Sequence, residues 1–186
     1  FEDKNVAHVG DKIDPADDIK TIETELQLAD IETVEKRLFS VEKDFKTGSK
    51  ESKFIHSGLQ KIKNLLYEGK NAREAKLDGQ EKETLKDLCL MTQKPILYIA
   101  NCSEEQLAQF SVKEFIAISA KIESELNELT EEEKIEYLET LGINESGLNR
   151  LIKEAYKTLG LITYFTSGEK ETRAWTIHDG WKAPQA

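Results

Sequence analysis

Two cysteines, three prolines and a single methionine are all that the 186 residues contain of those types. Cys89 and Cys102 are too few for a disulfide framework and too far apart for a C-x-x-C metal or redox motif. No run of about 18 apolar residues occurs, which excludes a helical membrane span. The opening segment FEDKNVAHV has neither the basic start nor the apolar centre of a secretory signal. It also lacks an initiating methionine, which points to a start inside a longer protein. Scarce cysteine and a missing signal together point to the cytoplasm. What remains is long enough for one domain or two small ones with a real core.

Charge is plentiful and unevenly placed. A third of the residues are charged and the formal net charge is −10. From Lys36 to Lys76 there are eleven Lys/Arg against five Asp/Glu, while the rest holds 15 basic and 31 acidic residues. A basic element on an acidic body suggests a polyanion contact confined to one part of the molecule. A solvated helical face with a lysine excess explains the same count.

Asp14-Pro15 reads as a helix start, with a capping carboxylate before proline at the first helical position. Ile19, Ile22 and Leu26 follow at helical spacing. Ile31, Val34, Leu38, Val41 and Phe45 then step by three and four, a heptad seam. Lys46–Lys50 (KTGSK) breaks the seam, and it resumes at Ile55, Leu59, Ile62 and Leu66 before Gly69. Two seams around a short turn predict an antiparallel helical hairpin whose arms project roughly 20–25 Å. A helical stretch over Gln80–Met91, a strand over Pro95–Ala100 and a second strand over Phe115–Ile118 come next. Acidic helices are predicted over Lys121–Leu129 and Glu131–Leu141, the latter with a Thr130/Glu133 capping box. A further helix spans Gly147–Leu159. The tail then turns β-rich, LITYFTSG and TRAWTI around a turn at Ser167–Glu169, which sets a boundary near Leu161. Helix–strand alternation in the middle predicts an α/β fold interrupted by the hairpin.

Ligands of open α/β sheets bind beyond the carboxyl ends of the strands. Asn101-Cys102-Ser103-Glu104 and Ser119-Ala120-Lys121 each stand at such an end. An asparagine there can hold the loop and offer hydrogen bonds to a purine, and a carboxylate three residues on can accept from an amine or ring N–H. On pattern alone, ordinary turn chemistry competes with base recognition. No G-x-x-x-x-G-K-[ST] is present, since Gly69-Lys70 precedes Asn71 and has no earlier glycine. These residues therefore contain nothing that cradles a triphosphate or holds its magnesium. His8, in a polar segment, could position water or a proton, or simply sit at the surface. His56 and His178 have no metal-ligand spacing, and Trp175 and Trp181 read as core or edge residues of the tail.

In order, FED…HV, KIDPADDI, IETELQLAD, KPILYIANCSE, ISAKIESEL, GLNRLIKEAYKTLGLITYFTSG and RAWTI…KAPQA resemble the YchF/Obg-like ATPase family of P-loop proteins over nearly the whole chain. The resemblance implies part of a Ras-like P-loop NTPase domain with an inserted antiparallel coiled-coil hairpin, followed by the start of a β-grasp TGS domain. The implied division is 1–29 and 77–160 for the nucleotide-binding domain, 30–76 for the hairpin and 161–186 for the TGS start. It implies ATP as substrate in preference to GTP, because N-x-x-E replaces the guanine-reading N-K-x-D loop. Asn101, Cys102 and Glu104 match that loop, Ser119, Ala120 and Lys121 the following base-side loop, and His8 a histidine beside the attacking water. It further implies Mg2+ held by an N-terminal segment, and ribosome or ribosomal RNA contacts through Lys43, Lys46, Lys50, Lys53, Lys61 and Lys63 and the TGS domain. The phosphate loop, the magnesium-binding threonine and the D-x-A-G switch of the family have no match here. The parent protein is therefore expected to hydrolyse ATP and these residues alone are not. Only 14 residues separate Ala100 from Phe115, close to the minimum for a parallel crossover. That is shorter than the family pattern, which suggests residues absent between Phe110 and Ser111.

Overall fold

A computed structural model describes residues 14–110, 112 and 114–185. The chain forms two compact units that meet in sequence at Pro95 and Ile96.

The first unit is built on two long helices. α1, Pro15–Lys46, starts on the Asp14 carboxylate, which accepts the Ala16 and Asp17 amides at 3.1 and 3.2 Å. It runs 32 residues without interruption, about 48 Å at 1.5 Å per residue, so this arm is twice the expected length. The reason is that the stretch between Leu26 and Ile31 holds no glycine or proline to stop a helix. Gly48, at φ +86°, makes the turn that launches α2, Lys50–Tyr67. Asp44 meets Ser52 near the turn while Glu35 meets Lys63 and Tyr67 farther down, which is the reversed order of an antiparallel pair. The predicted seam is the core. Val34, Leu59, Ile62 and Leu66 are 2% exposed or less, with Val41 and Ile55 beside them and Ile31 and Leu38 packed against them. Each such side chain contributes about 1.5–3 kcal/mol by leaving water. Phe45 lies at the margin and stacks on His56 at 4.1 Å.

The root of the pair is closed by a short segment. α3, Gly79–Leu85, is capped by Asp78 and ends earlier than its pattern predicts. Two 3-10 turns follow, Lys86–Leu88 and Met91–Gln93, because Cys89 adopts a left-handed conformation at φ +50° that no helix passes through. α3 approaches α2 so closely at Gly58 that a Cβ there would stand 2.6 Å from Leu85 Cδ1. Asp30, on α1, is 2% exposed and accepts the Met91 amide, the Thr92 amide and the Thr92 hydroxyl at 2.7–2.8 Å. Thr92 Oγ1 in turn accepts the Ala72 amide, and Gln27 Nε2 donates to Gly69 O and Asn71 Oδ1.

The second unit is a mixed α/β assembly. β1, Tyr98–Asn101, begins three residues after Pro95, later than the pattern predicts. α4, Glu104–Gln109, leads towards β2, Phe115–Ile118, which pairs with β1 in parallel, Tyr98 opposite Phe115 and Asn101 opposite Ile118. α5, Ala120–Leu126, stops before the expected Leu129. α6, Glu131–Thr140, carries the Thr130/Glu133 capping box, and α7, Gly147–Thr158, packs on β2. β3, Leu161–Ser167, and β4, Thr172–His178, form an antiparallel ribbon closed by the Gly168 amide on Glu171 O at 2.9 Å. Trp175 and Trp181 are 40% and 44% exposed, which makes them edge rather than core residues. Trp175 Nε1 donates to Thr166 Oγ1, and Arg173 lies over its ring at 5.0 Å.

Candidate functional site

Because β1 and β2 are parallel and in register, their carboxyl ends stop side by side. The Cys102 amide donates to Ile118 O at 2.8 Å, carrying the pairing one residue past the strand. Asn101 Oδ1 then accepts the Ala120 amide at 3.1 Å, tying the first strand-end loop to the second. Both loops are shaped by caps. Ser103 Oγ accepts the Gln106 amide and Gln106 Oε1 accepts the Ser103 amide, which starts α4 at once. Buried Ser119 caps α5 through the Ile122 amide at 3.5 Å. Behind β2, Arg150 Nη2 donates to Ala117 O at 2.8 Å and the Gly147 amide donates to Glu123 Oε1 at 2.7 Å, so α5 and α7 brace the loop.

The result is a cleft of about 600 Å³ lined by Asn101, Cys102, Glu104, Ser119, Ala120 and Lys121, together with Ser103 and Glu105. That volume falls in the range of small-molecule sites. All six base-side residues singled out from the motifs are thus brought into one cavity. The S-x-x-Q spacing of Ser103 and Gln106 is the signal that marks the intervening turn. His8 lies outside the described residues.

With Oδ1 engaged, the Asn101 Nδ2 amide has no protein partner among the described residues, and neither does the exposed Glu104 carboxylate. The Cys102 N–H is used by Ile118, which leaves its carbonyl oxygen. Lys121 Nζ stands 3.8 Å from Glu125 Oε1, and the Tyr137 hydroxyl donates to Glu125 Oε2 at 2.5 Å. That carboxylate raises the Tyr137 pKa and keeps the phenol protonated. Cys102 is buried, and burial pushes its thiol pKa up, so the sulfur is a protonated wall of the cleft rather than a nucleophile. The residues lining the cleft therefore include an amide donor, a backbone acceptor, a carboxylate and an ammonium. This inventory fits the edge of a heterocyclic base. Among the described residues no group of three His, Cys, Asp or Glu could hold a metal ion, and no helix is long and apolar enough to cross a membrane.

Comparison with known proteins places the chain. A family model described as YchF-GTPase_C, protein of unknown function (DUF933), matches residues 161–186. The ribosome-binding ATPase YchF of Bacillus subtilis is 47% identical over 200 residues, covering all of this chain and 55% of that protein. The protein of the same name from Haemophilus influenzae is 43% identical over 198 residues, again across the whole chain and 54% of its own length. The structure of the Schizosaccharomyces pombe YchF GTPase superposes with a TM-score of 0.84 at 34% identity, over 100% of this chain and 55% of that one. The chain belongs to the YchF family. It spans about half the length of its YchF relatives. The Bacillus YchF alignment runs to 200 positions against 186 residues here, so that relative carries residues with no counterpart in this chain.

Proposed function

We propose that the whole protein binds and hydrolyses ATP in preference to GTP, and that this chain supplies the adenine side of the site. The observation that carries the reading is the Asn101–Ala120 bond, which fixes the asparagine and leaves Nδ2 as a donor into the cleft. Adenine presents an N7 acceptor beside an N6 amine donor, whereas guanine presents two acceptors, N7 and O6. Asn101 Nδ2 suits N7 in either case. The Cys102 carbonyl and the Glu104 carboxylate favour the amine and oppose O6. Lys121 covers the other side of the cleft. The phosphates and Mg2+ fall to residues outside this chain's described part, and the family's magnesium chemistry would lower the barrier to phosphoryl transfer there. His8 is proposed to orient the attacking water, and the 186 residues alone, without a phosphate-binding loop, are proposed to be inactive. Affinities of the complete protein for ATP and GTP test this. ATP should bind at least about tenfold more tightly, as one differential hydrogen-bond group implies, and His8→Ala should lower kcat with ATP affinity retained. Equal or tighter GTP binding would refute the adenine assignment.

We also propose a cytoplasmic protein that associates with the ribosome through the helical pair, read as a coiled-coil hairpin (30–76) inserted between 1–29 and 77–160 of a Ras-like domain. Residues 161–186 are read as the opening of a TGS domain. The support is the placement of charge. Lys61 and Lys63 are paired with Glu81 and Glu35 towards the root, and Lys46 with Glu42. Lys43, Lys50 and Lys53 near the turn have no ion-pair partner among the described residues. Replacing Lys43, Lys46, Lys50 and Lys53 with glutamine should weaken ribosome co-sedimentation and flatten its salt dependence by up to about four counterions' worth of slope. An unchanged slope would remove the polyanion role and favour a purely protein contact.

A further inference from the structure

Among the described residues β2 pairs with a strand on one side only, that of β1. Successive carbonyls of a strand point to opposite sides, and Ile118 O faces β1, where it accepts the Cys102 amide. Ala117 O therefore faces the unpaired edge. Ala117 is buried, so this oxygen depends on a partner from the protein. Arg150 Nη2 supplies it at 2.8 Å, a bond from a cation to a carbonyl and stronger than one between neutral groups. The trough around Arg150 holds three carboxylates. Glu145 pairs with Lys153 and Glu154 with Lys157, while Glu114 is exposed at the entry to β2. The arginine also starts from a fixed point. The Gly147 amide is held by Glu123, and a Cβ on Gly147 would stand 3.1 Å from Ile118 Cγ1 and Cγ2. The first turn of α7 is thus seated on the end of β2, and Arg150 follows one turn later.

We infer that Arg150 is a positioning residue for base recognition, acting on Asn101 through the end of β2 and the Ser119–Lys121 loop. The inference rests on the adenine reading above. The Ala120 amide, three residues after Ala117, is the group that occupies Asn101 Oδ1 and so turns Nδ2 to the cleft. Without the guanidinium a buried carbonyl loses its partner, and the strand end shifts outward to reach water. Asn101 then loses the bond that orients it. Either purine gives up its N7 contact, and adenine also gives up the register that sets its amine against the Cys102 carbonyl. ATP loses two contacts where GTP loses one.

The test is the affinity of the complete protein for ATP and for GTP, by titration calorimetry, in the parent and in Arg150→Met. The substitution removes the donors and keeps an apolar stem. It should weaken ATP more than GTP and narrow their ratio by about threefold or more. A merely structural arginine would not move that ratio, because a smaller folded fraction scales both affinities by the same factor. Equal losses for the two nucleotides, or none, overturn the proposal and leave the adenine reading standing. A parent without a preference for ATP overturns the reading, and the proposal with it. Should Arg150→Met not fold, Gly147→Ala asks the same question, since its Cβ displaces the first turn of α7 and Arg150 with it. A narrowed ratio there supports the positioning role, and an unchanged one overturns it.

Discussion

Asp30 and Glu81 are the two carboxylates buried among the described residues, and neither is left without donors. Asp30 holds the 3-10 turn at Met91–Gln93 through both of its oxygens. Removing a buried acceptor leaves its donors dry, which costs more than forming the bonds contributes. Asp30→Ala strands two amides and a hydroxyl, and we expect it to destabilise the protein by about 2–4 kcal/mol in urea unfolding. Asp30→Asn, which keeps one acceptor, should cost less. A loss under about 0.5 kcal/mol would show that water replaces the carboxylate freely. The cleft has a similar residue in Asn101. One of its two polar atoms is occupied in holding two loops together, and the other is available to a ligand.

At the scale of elements, α2 and α3 are joined through Glu81, which accepts from Lys61, from the Ser57 hydroxyl and from the Asp78 amide. Lys61, foremost among these donors, lowers the Glu81 pKa on folding. Its contribution is therefore complete above the ordinary glutamate value of about 4.3 and is lost as pH falls through the lowered folded value. Stability measured across the acid range should drop steeply for the parent and more shallowly for Glu81→Gln, with the two curves converging at the lowest pH. A parallel pair of curves would contradict the assignment. These elements also show what a sequence can and cannot reveal. The seam, the strand over Phe115–Ile118 and the Thr130 cap were legible because their signals lie within a few residues of one another. Gln27, Asp30 and Glu81 were not, since polar residues on a helix read as solvent-facing and their partners lie 20 to 62 positions away. The early end of α3 depends on one left-handed residue, Cys89, a type with no preference for that conformation. The two cleft loops could be found separately, but the bond across the 19 positions between Asn101 and Ala120 depends on the parallel register.

Over the whole molecule, charge and shape are arranged together. Residues 15–35 of α1 carry seven acidic residues and one basic, whereas residues 36–53 carry six basic and three acidic. For the polyanion contact proposed above, this gradient along α1 favours the turn over the root. The cleft belongs to the other unit and is built from its own strands.

The uninterrupted helix also makes the hairpin a lever. Asp30 is the sixteenth of the 32 residues of α1, so its bonds to Met91 and Thr92 act as a fulcrum at mid-length. The distal half reaches roughly 24 Å beyond that point, and a tilt of about 5° there carries the turn by about 2 Å. With Gln27 on Gly69 and Asn71 and Glu81 on Lys61, this carboxylate anchors the proximal half, and any shift there is larger at the far end.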